Sequence, residues 1–192
     1  MDFDSEFKIL DKAISSFLKD ELIKDKLQLI LKRPNKDWEK WLQVELEYHL
    51  EKNCRCEAKR EVPAVPDMRY QTGRVGIFVD LLVRNKRFEN DHYMYIELKC
   101  DGTADSLHNK MLLDAHKLQS IKQSHLNKSD YKMRSYWCIG FFSKTEHVST
   151  YQIRNILKQC RDYKTACKVV NICVCSASPE DCECHDIGYM IF

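Results

Sequence analysis

The stretch Tyr93-Met94-Tyr95-Ile96-Glu97-Leu98-Lys99-Cys100 decides the fold. Its aromatic and branched residues have the composition of a buried strand, interrupted by two charges, Glu97 and Lys99. Strand side chains alternate between faces, so these two point the same way. A carboxylate and an ammonium on one face of an apolar strand are costly to bury without a partner or a function. Upstream lies a second apolar run, Val75-Gly76-Ile77-Phe78-Val79-Asp80-Leu81-Leu82-Val83, with a single acid, Asp80, in its middle. If the two runs pair as neighbouring strands, Asp80, Glu97 and Lys99 meet. Two carboxylates beside a lysine form a divalent-metal site suited to cutting phosphodiester bonds. A structural ion pair would account for each charge singly. Three on two adjacent apolar strands are harder to account for that way, because a buried pair adds little net stability and clustered titratable groups mark functional sites.

Outward from these strands the chain alternates helical and extended patterns. Residues 6–32 carry apolar positions at helical spacing (Phe7, Leu10, Ile14, Phe17, Leu27, Leu31), as one bent helix or two short ones about Lys19-Asp20, stopped by Pro34. A helix is predicted from Asp37, as N-cap, to Lys52, a strand over 57–65, a turn at Gly73, a strand over 75–84 and a polar hairpin over 85–92. A helix over 105–125 follows, with Leu107, Met111, Leu112, Ala115, Leu118 and Ile121 on its apolar face. Then come a strand over 135–142, a helix over 146–161, a strand over 168–175 and a terminal edge strand over 187–192. Strands alternating with helices predict an α/β fold, a mixed central sheet covered on both faces.

Within the helix 37–52, a rotation of about 100° per residue puts Glu45 among Trp38, Trp41, Leu42, Tyr48 and His49. Glu47 falls on the other side with Lys40, Gln43 and Glu51, and reads as a solvent-facing residue. Glu45 is therefore an acid planted in an apolar face; the alternative is pairing with a buried base or an aromatic hydroxyl.

Asp80, a gap, then Glu97-x-Lys99 on a hydrophobic strand resembles the PD-(D/E)XK nuclease superfamily, the restriction-endonuclease-like fold. The likeness covers roughly residues 37–143 and includes the family's αβββαβ order. Val79 stands where the family's Pro would precede the acid; a literal Pro66-Asp67 lies beside the turn-rich segment Tyr70–Gly73 and ranks below Asp80. The resemblance implies a Mg²⁺-dependent endonuclease, with Mn²⁺ as a substitute. It implies Asp80 and Glu97 as metal ligands, joined by the Leu98 carbonyl and by Glu45 from the preceding helix. Lys99 would orient the attacking water and stabilise charge on the phosphate. In related nucleases the helix after the strand lends polar groups, here Lys117 and Gln119 from a stretch that also holds Asp114 and His116. Arg74 and Arg84, with Lys86 and Arg87, flank the strands and would grip phosphates.

At 192 residues the chain reads as a single nuclease domain. It divides into a helical extension (1–36), the αβββαβ core (37–143) and a C-terminal helix, strands and Cys-rich segment (144–192). A formal net charge of +2 neither favours nor opposes nucleic acid, since a local basic surface suffices. No apolar stretch approaches a membrane span and the acidic N-terminus does not resemble a signal peptide, so a cytoplasmic protein without membrane association is expected. The expected partner is nucleic acid, DNA in preference to RNA, in restriction, phage defence or mobile-element and repair processing; a homodimer is compatible with this reading. The alternative is a catalytically silent nucleic-acid- or protein-binding module of the same fold. Ten cysteines without an export signal indicate a reducing compartment. Six form C-x-C pairs: Cys54/Cys56, Cys173/Cys175 and Cys182/Cys184, the last followed by His185. The last two pairs have enough ligands for a structural Zn²⁺, but the spacing is not the common C-x₂-C. Free Cys is among the most buried residue types, so the sequence favours thiols without zinc, with Cys173 and Cys175 as small core residues of one strand.

Overall fold

The structure, a computed structural model, describes residues 3–33, 38–67, 77–87, 91–121, 131–145, 148–160, 164–176 and 182–192. Its elements in chain order are α1 (Phe3–Phe17), α2 (Glu21–Leu31), α3 (Glu39–Asn53), β1 (Cys56–Ala64), β2 (Ile77–Asn85), β3 (His92–Asp101), α4 (Ala104–Gln119), β4 (Lys132–Phe142), α5 (Thr150–Gln159), β5 (Ala166–Asn171) and β6 (Asp186–Ile191). The class is α/β, with helices flanking a six-stranded sheet ordered β1-β2-β3-β4-β6-β5. The order αβββαβ is present over Glu39–Phe142. The expected N-cap Asp37 and turn at Gly73 lie outside the described residues.

The pairings β1–β2, β2–β3 and β5–β6 are antiparallel. Between β3 and β4, Lys132 N–H donates to the Asp91 carbonyl at 2.6 Å and Ser143 N–H to that of Asp101 at 3.3 Å. Both partners advance together along the chain, so this pair is parallel and the sheet is mixed. Parallel neighbours need a crossover, and α4 supplies it. Its entry is organised by Asp101, whose carboxylate accepts from Gly102 N–H at 2.6 Å and Ser106 Oγ at 2.9 Å.

The chain forms two compact units. One comprises Met1–Glu39, Cys100–His108 and Gly140–Phe192, the other Lys40–Lys99 and Asn109–Ile139. In the first, the helical pattern over 6–32 resolves into two helices. Asp20 breaks it, its carboxylate accepting from Leu22 N–H (3.0 Å) and Ile23 N–H (3.3 Å) as the N-cap of α2. The second half of Trp38's aromatic pair is Phe141, edge-to-face at 6.4 Å. The terminal strand corrects the sequence expectation. β6 is not an edge: it lies between β4 and β5, and residues 187–192 are all buried. Six consecutive apolar or small residues without alternation are the mark of a strand covered on both faces. Tyr189 is buried through its hydroxyl, which donates to Asp11 at 2.8 Å and lies 3.0 Å from Ser15 Oγ.

In the second unit β1 and β2 pair along most of their lengths, from Cys56 opposite Asn85 to Ala64 opposite Ile77. β2 pairs with β3 through Leu81 opposite Ile96, Leu82 opposite Tyr95 and Val83 opposite Met94. The buried side of α3 is Leu42, Gln43, Leu46, His49 and Leu50. Its centre is Leu46, and Glu45 and Glu47 lie to either side. The aromatic stripe expected around Glu45 is displaced: Tyr48 is exposed, whereas Gln43, expected on the solvent side, is wholly buried. Three large aromatics within one helix suggested a core face, but aromatic bodies also sit well at a surface.

Gly188 in the first unit tests this packing. A Cβ there would overlap the ring of Phe142, itself fully buried. Overpacking a rigid core costs about 1–3 kcal/mol. Gly188→Ala is therefore expected to lower the unfolding free energy by that amount, read as a lower urea midpoint with little change in slope. An unchanged midpoint would show that the Gly188–Phe142 approach is not tight.

Candidate functional site

Continuing the β2–β3 register by one step sets Asp80 across from Glu97. A hydrogen bond secures the juxtaposition: Leu98 N–H donates to Asp80 Oδ2 at 2.8 Å. The other oxygen, Oδ1, accepts from Gln43 Nε2 at 2.8 Å. Asp80 is thus held at both oxygens, by the neighbouring strand and by α3, and each oxygen retains acceptor capacity. Across from Asp80 on its other side, Glu61 of β1 has a left-handed φ of 52°, uncommon for a residue with a side chain.

Glu97 is 4 % exposed. Its Oε2 accepts from Lys117 Nζ at 2.7 Å. Its Oε1 is buried and has no hydrogen-bond partner among the described residues. Desolvation and then the Asp80 charge raise its pKa, Lys117 opposes them, and the outcome is a carboxyl pushed up to about 7. Lys99 leaves β3 on the same side as Glu97, about one-quarter exposed, with Nζ 3.8 Å from Asp114 Oδ2 of α4. Asp114 is one of the groups that raise Glu97. Beneath them on β4, Cys138 bonds the Met111 carbonyl at 3.5 Å. Burial raises its thiol well above the usual range, with Asp114, Glu97 and Asp80 adding to the effect. Lys117 opposes them, so three carboxyl groups and one ammonium act on this sulfur.

The structure therefore brings together Asp80, Glu97 and Lys117, with Lys99 on the same strand face; Lys117, expected to serve a phosphate, is engaged by Glu97. Leu98 contributes its N–H to Asp80, and its side chain is fully buried on the opposite face of β3. Glu45 is half-buried beside the buried stripe of α3, and the residue of that helix on Asp80 is Gln43. Glu47 is not merely solvent-facing: it pairs with Arg60 of β1. Gln119 Nε2 donates to Tyr136 Oη at 3.0 Å. Arg84 is engaged by Glu57 and lies over the Tyr93 ring at 5.7 Å, four residues along β2 from Asp80. The Pro66-Asp67 pair lies elsewhere, with Asp67 N–H donating to the Ser120 carbonyl at 2.8 Å. Arg74 and the Tyr70–Gly73 segment lie outside the described residues. Gln43 and Asp114 were missed. Asp114 had a readable signal, since it falls between Met111 and Leu118 on the apolar stripe of its helix. Gln43 had none, being neutral and sharing its helical face with Lys40, Glu47 and Glu51.

Comparison with models of known protein families, with curated proteins and with solved structures finds no match for this chain.

The elevated pKa of Glu97 has a defined pH signature. Its folded value, about 7, lies above the ordinary 4.5, so the native state keeps a proton that the unfolded chain has released. The stability this group contributes is fully present below pH 4.5 and is lost as the pH rises through about 7. The loss is on the order of 3 kcal/mol. Glu97→Gln keeps the shape and removes the charge. In EDTA, the stability of the variant relative to wild type is expected to rise between pH 5 and pH 8, measured by urea unfolding. A difference independent of pH would mean that Glu97 titrates normally.

Proposed function

We propose that the Asp80–Glu97 site binds a divalent cation and hydrolyses phosphodiester bonds in nucleic acid, DNA before RNA. The observation that carries this reading is the orphaned Oε1 of Glu97, a buried acceptor beside a second carboxylate. A buried acid near other acids is a poor structural device unless a cation completes it. The donor set fits Mg²⁺ or Mn²⁺, which take hard oxygen ligands. Asp80 and Glu97 would hold the ion, with Asp114 of α4 as a further acid beside Glu97. When bound, such an ion polarises a phosphoryl oxygen and lowers the pKa of water.

The remaining work belongs to the chain's own residues. Leu98 N–H and Gln43 fix the orientation of the Asp80 carboxylate, so it need not reorganise when a substrate arrives. Lys99, on the face of Glu97, would order the nucleophilic water and offset charge developing on the phosphate. Asp114 restrains it at 3.8 Å. Lys117 holds Glu97 Oε2 and keeps the carboxylate aimed; on cation binding its ammonium becomes available to a phosphate oxygen. A catalytically silent module is the second reading, and the Lys117–Glu97 pair favours it, since that pair already offsets part of the charge.

Relaxation of supercoiled plasmid with Mg²⁺ and with EDTA separates the two. Mg²⁺-dependent nicking is expected, with a loss of 10²-fold or more in Asp80→Ala, Glu97→Ala and Lys99→Ala, the scale of removing one group that stabilises transition-state charge. Activity that persists in EDTA, or survives Glu97→Ala, overturns the proposal. Cation affinity should also follow the proton competition at Glu97. Mn²⁺ binding by calorimetry is expected to tighten from pH 5.5 to pH 7.5 and to weaken more in Glu97→Gln than in Glu47→Gln. Equal affinities in those two variants would remove the acid pair as ligands.

A further inference from the structure

The connection between β5 and β6 carries a second constellation. β5 ends at Asn171 and β6 begins at Asp186. Their antiparallel register pairs Asn171 with Asp186. Carrying it onward sets Cys173 across from Cys184 and Cys175 across from Cys182. In an extended chain residues two apart share a face, so a C-x-C on each arm offers four sulfurs to one side. The structure shows that convergence. Cys173 Sγ lies 3.4 Å from Cys175 Sγ and 3.6 Å from Cys182 Sγ, and Cys175 and Cys182 are 3.4 Å apart. With Cys184, all four sulfurs fall within 4.8 Å of one another.

These are not core thiols, which corrects the sequence reading of Cys173 and Cys175 as buried strand residues. The strand stops before them, Cys175 is exposed and the other three are half-buried. Hydrophobic burial therefore does not explain their approach. They are also not disulfides, whose sulfurs sit about 2.05 Å apart. A tetrahedral Zn²⁺ with Zn–S near 2.3 Å places neighbouring sulfurs about 3.8 Å apart. The three distances among Cys173, Cys175 and Cys182 need only a few tenths of an ångström of expansion, and Cys184 Sγ lies within 4.8 Å of each.

The surrounding chain is built to hold the two arms. Gln28 of α2 is 6 % exposed, and its Nε2 donates to the Ile172 carbonyl at 3.1 Å and the His185 carbonyl at 2.7 Å. Its Oε1 accepts from His185 N–H at 2.9 Å. One buried amide therefore clamps the residue before Cys173 to the residue after Cys184. Asn171 Nδ2 donates to Asp186 Oδ1 at 3.0 Å, and Asn171 Oδ1 accepts from Cys173 N–H at 3.1 Å. The base of the loop is closed by these bonds, and beyond it the four sulfurs stand together.

We propose that Cys173, Cys175, Cys182 and Cys184 form a structural tetrathiolate Zn²⁺ site that closes the β5–β6 connection. The four ligands leave no open coordination position, so the site is structural rather than catalytic. Each thiol releases its proton on ligation, so binding weakens as the pH falls. The site is independent of the carboxylate site proposed above.

The test is elemental analysis of the full chain, produced with zinc in the medium and purified without chelator, alongside intact mass. One zinc per chain is expected, falling to none in the Cys182→Ser/Cys184→Ser variant and unchanged in Cys54→Ser. Should the double variant fail to fold, the native chain decides. Co²⁺ exchanged for Zn²⁺ should give visible ligand-field bands and near-ultraviolet thiolate charge-transfer bands. Four thiols should alkylate only after chelation. Zinc well below one per chain, four thiols that alkylate equally fast before and after chelation, or a mass lower by two hydrogens per disulfide would each overturn the site. Retention of zinc in a folded double variant would do so too.

Discussion

The register between β2 and β3 is the constraint on which the carboxylate site depends. Leu81 against Ile96 is set by apolar packing, and the site is a by-product of where the acids fall on either side of that pair. A slip of one residue would send Asp80 to the opposite face from Glu97 and expose the alternating apolar set. The Leu98 N–H bond to Asp80 adds a directional contact to a register that hydrophobic burial alone would favour. The apolar strand thus supplies the force that holds Glu97 out of water beside a like charge, and burial first, with the Asp80 charge second, raises Glu97 to about 7.

That confinement couples stability to chemistry. Groups held in a state they would not choose in water are characteristic of functional sites. Asp80 is satisfied at both oxygens, whereas Glu97 is satisfied at one. The asymmetry separates them: Asp80 is fixed at both oxygens, and Glu97 is the group whose pKa is displaced. Lys117 and Lys99 both lie near the acids but are differently engaged, one on Glu97 and the other towards Asp114. Positive charge placed this way moderates the repulsion between the acids.

The first unit uses a different means at the β5–β6 connection. Gln28 reaches from α2 to bond both ends of the β5–β6 connection, and two C-x-C pairs gather beyond it. A polar side chain is buried there at little cost because each of its polar atoms finds a backbone partner. In the interior β6, by contrast, the fit is steric, and Gly188 makes room for Phe142.

Much of the architecture was legible in the sequence. Periodicity places the helices and the first three strands close to where they stand, because 3.6- and 2-residue repeats follow from backbone geometry alone. The trio Asp80, Glu97 and Lys99 was legible for the same reason: an acid or base inside an apolar run is conspicuous at any register. What tertiary structure decided is which elements are neighbours. That made β6 an interior strand rather than an edge, and brought Gln43 in place of an acid to Asp80. It also put Asp114 beside Lys99 and gathered four cysteines, of which Cys173 and Cys175 read as small core residues of one strand. Each depends on long-range pairing, which local composition does not encode: a neutral glutamine or a C-x-C looks the same in sequence whether it faces solvent or a partner. The C-x-C pairs show the boundary most clearly. Their spacing alone ensures that each pair shares a face, but only the β5–β6 register turns two faces towards one point.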